Sequence, residues 1–91
     1  MNKIQIVNVS KHAVDRFGQR ITTESYWDSV RFIRREIWSG VILYSAPNKD
    51  RGKGIVTYIR NNGLVFVVDT TDHERAVVLT MYLEGEMVGN A

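Results

Sequence analysis

His12, Arg16 and Arg20 recur at a four-residue spacing. On a helix, where successive residues turn by about 100°, Arg16 falls near 40° and Arg20 near 80° from His12. An imidazole can carry a proton, and two guanidiniums beside it can hold phosphate oxygens. The trio therefore suits chemistry on a phosphodiester. Val14, Phe17 and Ile21 gather at roughly 140–200°, which is the apolar face such a helix would turn to a core.

The surrounding elements must present that face. Ser10 is placed to cap a first helix ending near Arg20, and Gly18 weakens it close to its end. Thr22-Thr23-Glu24 reads as the start of a second helix that runs to about Ser39, with Gly40 just past its end. Tyr26, Val30, Ile33 and Ile37 form its core stripe. Trp27, Arg31, Arg34 and Trp38 form a neighbouring stripe, with arginine stems lying across it. Phe32 falls roughly 240° from Tyr26, between Asp28 and Glu36, so that Trp27, Phe32 and Trp38 mark a candidate surface for a protein partner, including a second copy of the chain.

Beyond Gly40 the period changes to that of strands. Residues 3–9 alternate as a short edge strand or an extended lead-in. Residues 41–44 are β-rich, residues 46–54 read as a polar loop with the single proline, and residues 55–60 read as a strand. Asn61-Asn62-Gly63 is a hairpin signal, followed by strands over 64–69 and 75–84 with a turn at 70–74. Alternation sends Val77, Leu79, Met81 and Leu83 toward the helices, and Ala76, Val78, Thr80 and Tyr82 the other way, or toward the end of the first helix. The expected fold is α+β: two N-terminal helices packed on a three- to four-stranded antiparallel meander. One domain accounts for the 91 residues, with a core over about 10–84 and a loose tail at 85–91.

Composition narrows the chemistry. Hydrophobic residues make up 44 %, too many for a disordered chain. The absence of cysteine removes disulfides, thiolate metal sites and a cysteine nucleophile. No apolar run reaches the ~18 residues of a membrane span, and the first residues lack a secretory h-region, so the expected location is the cytoplasm without a membrane partner. The net charge is only +2, but lysine and arginine concentrate over 3–35 and 49–53, whereas 69–86 holds five acids and one arginine. A basic groove is compatible with that asymmetry. His73, between Asp72 and Glu74 in a turn, reads as solvent-exposed, because adjacent turn residues rarely converge on one metal ion. No metal or cofactor site is expected.

His12-Ala13-x-x-Arg16 with Arg20, two helices, and a meander closing on Leu79-Thr80-Met81-Tyr82 together resemble the barnase–EndoU–colicin–RelE-like fold of small metal-independent RNases and toxins. The resemblance spans residues 10–84. It implies attack of a ribose 2′-OH on the adjacent phosphorus, giving a cyclic phosphate and a 5′-OH. It casts His12 as general acid or base, Arg16 and Arg20 as phosphate ligands, and Thr80 and Tyr82 as hydroxyls that orient the phosphate or the imidazole. Lys53 in its glycine-flanked loop can add a phosphate contact, and Tyr58 can stack on a base. The implied partners are RNA, free or on the ribosome, and an inhibitor protein. Two other readings use the same fold: a non-catalytic RNA-binding or regulatory module, and a protein-interaction factor. Only the enzyme reading requires a pocket that joins His12 to Thr80 and Tyr82.

Overall fold

A computed structural model describes residues 5–21, 25–48, 54–72 and 74–85. It contains β1 (Ile6–Val9), α1 (Lys11–Arg20), α2 (Tyr26–Ser39), β2 (Val41–Asn48), β3 (Gly54–Asn61), β4 (Leu64–Asp69) and β5 (Arg75–Leu83). The fold is α+β, as the sequence implies, but the sheet has five strands in the order β1-β5-β4-β3-β2 and is mixed. β2 to β5 form the expected antiparallel meander. β1, which precedes both helices, pairs parallel to β5, with Ile6 opposite Arg75 and Val9 opposite Val78. That correction follows from chain geometry. A parallel pair joins segments far apart in sequence and leaves no turn signal between them.

Local rules account for most element ends. Ser10 caps α1 by accepting a hydrogen bond from the Ala13 amide at 3.1 Å. Ser25 caps α2 by accepting from the Asp28 amide at 3.2 Å. The helix start expected at Thr22-Thr23-Glu24 lies outside the described residues, and the described helix begins at Tyr26. Asn62 and Gly63 have φ of 52° and 78°, the left-handed pair demanded by a two-residue hairpin turn of the I′ type. β2 runs on through Ala46, Pro47 and Asn48, which read in sequence as loop. An edge strand accommodates a proline because one of its sides needs no N–H donor.

Both helices cover one face of the sheet. Phe17, Ile33, Ile37, Ile59, Phe66, Val68, Ala76, Val78 and Met81 are all buried in one cluster. Burying each large side chain contributes roughly 1.5–3 kcal/mol. α1 is rotated from the orientation expected of it. Ala13 and Phe17 are buried, Val14 is half-buried and Ile21 is exposed. The buried face is therefore centred near 100–140° from His12 rather than opposite it, which draws Arg16 and Arg20 to its margin. Phe32 is not a free surface residue. It packs on Phe17 with ring centroids 5.1 Å apart, because α1 lies against that side of α2. Trp27 is 67 % exposed, with Tyr26 against it edge to face.

Polar ties lock the elements together. Arg34 Nε donates to the Val7 carbonyl at 2.8 Å, bracing α2 on β1. The buried Glu36 carboxylate accepts from the side-chain amides of Asn61 at 3.2 Å and Asn62 at 3.0 Å, which fixes the β3–β4 turn to α2. Gly40 sits where a Cβ would collide with Ile59 Cγ2 and lie 2.9 Å from the Glu36 carbonyl, whereas the space around Gly18 is open. Two opposite results are expected in urea unfolding. Gly18→Ala stabilises the protein by about 1 kcal/mol through helix propensity. Gly40→Ala destabilises it by about 1–3 kcal/mol through overpacking against backbone.

Candidate active-site groove

Strand β1 is short, and where it stops the site begins. β1 covers β5 only as far as Val78. There the Ser10 amide donates to the Val78 carbonyl at 3.0 Å, and Ser10 Oγ donates to the Leu79 carbonyl at 3.1 Å. Ser10 therefore welds the start of α1 to the uncovered edge of β5. His12, two residues on, is exposed and reaches the face of the sheet that the helices leave open.

Two β-bulges shape that open face. In β5, Val68 pairs with Val78 but Val67 pairs with Thr80, so Leu79 is an extra residue. Were Leu79 paired regularly with Val67, Thr80 would oppose Phe66 and point into the core. With the bulge, Ala76 and Val78 face the helices, and so do Met81 and Leu83, while Thr80 and Tyr82 face the groove. This overturns the expectation that Val77 and Leu79 face the helices, and that Ala76 and Val78 point to the open face. It retains the outward direction of Thr80 and Tyr82. In β2, Ile42 pairs with Ile59 but Tyr44 pairs with Tyr58, so Leu43 is the extra residue. That insertion turns Tyr44 onto the same open face.

The result is an open groove of about 640 Å³. His12, Leu79, Thr80 and Tyr82 line one part of it, and Tyr44, Ala46, Asn48, Val56, Tyr58 and Val67 the other. The Tyr44 and Tyr58 rings are stacked, with centroids 4.6 Å apart and planes 19° from parallel. Burial holds the Tyr58 phenol above its usual value of 10.0, and the neighbouring Tyr44 and Tyr82 phenols act in the same direction. Tyr58 is therefore a neutral hydrogen-bonding group at physiological pH.

Of the residues singled out in sequence, the groove brings together His12, Tyr58, Thr80 and Tyr82. Arg16 and Arg20 do not line it. Arg16 is half-buried, with a buried Nε that has no hydrogen-bond partner among the described residues. Arg20 is likewise half-buried, at the far end of α1. The cause is the rotation of α1, which sets His12 over the β5 edge and leaves the arginines further along the helix. Lys53 and His73 lie outside the described residues. Sequence reasoning missed Tyr44 and Asn48, because their direction depends on a bulge and on a strand continuing past Pro47.

Other features bound the reading. Among the described residues no three or more His, Asp or Glu side chains converge as a metal-binding group. No described helix is long and apolar enough to cross a membrane. No family model, curated protein or solved structure matches the chain.

Proposed function

We propose that this protein is a small endoribonuclease of the barnase–EndoU–colicin–RelE-like kind, cleaving RNA in the His12 groove by attack of the 2′-OH. The observation that carries the reading is the convergence of His12 with Thr80 and Tyr82 from opposite ends of the chain into one groove. Transesterification needs a proton carrier near groups that hold the phosphate, and an exposed imidazole lining one groove with two hydroxyl side chains supplies those elements. In the reaction, the 2′-oxygen bonds to phosphorus and the bond to the 5′-oxygen breaks. The 2′-OH proton is removed, and a proton is delivered to the leaving oxygen. His12 moves one of these protons. The hydroxyls of Thr80 and Tyr82 donate hydrogen bonds to the non-bridging oxygens, whose charge grows in the transition state. The stacked rings of Tyr58 and Tyr44 provide an aromatic wall for a base.

The test is incubation of the purified protein with mixed RNA and with ribosomes, in the presence and absence of a chelator. The expected products carry cyclic phosphate and 5′-OH ends, and chelator has no effect. Failure to cut either substrate favours the non-catalytic RNA-binding reading.

Arg16 and Arg20 lie outside the groove, so their role in this scheme is to hold phosphates flanking the cleaved bond. For a single strand, each such contact adds about 0.7 to the slope of log affinity against log salt. Arg16→Ala with Arg20→Ala should therefore weaken RNA binding at low salt and lower that slope by about 1.4. An unchanged slope removes both residues from the RNA path.

A further inference from the structure

We infer that Tyr44 and Tyr58 form a base-binding subsite in which one unpaired nucleobase stacks on the outer face of Tyr44, so that the groove selects single-stranded over duplex RNA. The inference rests on the reading of the groove as an RNA site and adds its specificity determinant. Three observations carry it.

The first is the ring stack itself. Tyr58 is half-buried and covered on one side by Tyr44 at 4.6 Å. Tyr44 is 49 % exposed, and among the described residues no strand lies beyond β2 in the sheet. The pair is thus a two-ring stack with one closed end and one open end. A third planar ring extends it without any rearrangement.

The second is the cost of building it. Tyr44 reaches this face only because Leu43 is inserted as a bulge in β2. A regular edge strand would have set Tyr44 opposite Thr57, on the helix side. Bulges beside functional sites re-aim side chains in this way.

The third is what surrounds the rings. Ala46, Pro47 and Val56 make an apolar floor next to the stack, and His12 and Thr80 stand across the groove. A base on the outer face of Tyr44 would sit at the β2 side of the groove, with β3 and β4 between it and Thr80 on β5, so it belongs to a nucleotide beside the cleaved bond rather than at it. Bases in a duplex are stacked on one another and paired, so they cannot offer a face to Tyr44. Stacking also tolerates every base, because each has a π-face. The subsite therefore discriminates strand state more than sequence.

The test uses fluorescence anisotropy with labelled 2′-O-methyl oligonucleotides, which cannot be cleaved because the nucleophile is blocked. Wild type is compared with Tyr44→Ala and Tyr44→Trp, on an intact single strand, on single strands each carrying one abasic position, and on the matching duplex. Tyr44→Ala should weaken binding of the intact strand by about 5- to 150-fold, the loss of one stacked base. Tyr44→Trp should restore it. The abasic position that lowers wild-type affinity should make binding insensitive to Tyr44→Ala, and the duplex should bind weakly to all three proteins. The subsite is overturned if Tyr44→Ala binds the intact strand as wild type does, or if every abasic strand loses as much affinity as the intact one on substitution. If RNA is cut in a His12-dependent manner while the Tyr44 variants bind normally, the subsite alone falls. If wild type binds no oligonucleotide, the RNA reading falls with it.

Discussion

His12→Ala should reduce RNA cleavage by about 10²–10⁴-fold while leaving the fold intact, because a positioned histidine contributes on that scale to proton transfer. The expectation is specific to the geometry. His12 is exposed and lies in the first turn of α1, so its removal opens no cavity. Ser10, which fixes that turn to β5, and the buried Ala13 are untouched. Unfolding midpoints should coincide with wild type, so lost activity reads as lost chemistry. Thr80→Val and Tyr82→Phe should each lower the rate less than His12→Ala, since each removes one hydrogen bond to the phosphate. Equal cleavage by wild type and His12→Ala would remove the imidazole from the reaction.

The second large effect concerns stability. Exchanging residues 81 and 82 (Met81→Tyr with Tyr82→Met) should unfold the protein or lower its melting temperature steeply, whereas Leu79→Ala should be mild. The bulge in β5 fixes which face each later residue meets, with position 81 in the core and position 82 on the groove. The methionine, fully buried in the native protein, would stand in the groove. The tyrosine hydroxyl would point into the apolar cluster. Exposing the first removes roughly 1.5–3 kcal/mol, and burying an unpaired hydroxyl adds a penalty of about 1–3 kcal/mol. A domain of this size has a net stability of only about 5–14 kcal/mol. Leu79→Ala keeps the extra residue and trims a half-buried side chain. Circular dichroism melts of the two variants test the difference. An exchanged variant as stable as wild type would mean that the bulge does not set the two faces of β5.

These two results mark where the sequence was legible and where it was not. The hairpin at Asn62-Gly63 was readable because left-handed turn residues are few and local. The strand 64–69 and, of the expected stripe, Val30, Ile33 and Ile37 were readable because burial imposes a period, whereas Tyr26, at the first residue of α2, is exposed and not in the core. β1 as a partner of β5 was not readable, since parallel pairing is non-local. The faces of Ala76, Val78 and Tyr44 were not readable either, because one inserted residue inverts an alternating pattern and carries no compositional mark. Arg16 and Arg20 were expected beside His12 on a helical wheel, and the wheel was sound. What it lacked was the rotation of α1, which is decided by packing of Ala13 and Phe17 against the sheet. Conversely, His12, Thr80 and Tyr82 share the groove through contacts that no local rule contains.

Transesterification from a 2′-OH in the groove stands or falls on one substitution in the substrate. A short RNA cut by the wild-type protein at a mapped bond is compared with the same RNA carrying a single 2′-deoxy nucleotide on the 5′ side of that bond. The expected result is cleavage of the first with a cyclic phosphate terminus, and no cleavage of the second at that bond. Equal cleavage of the two would contradict the account, since the internal nucleophile would then play no part.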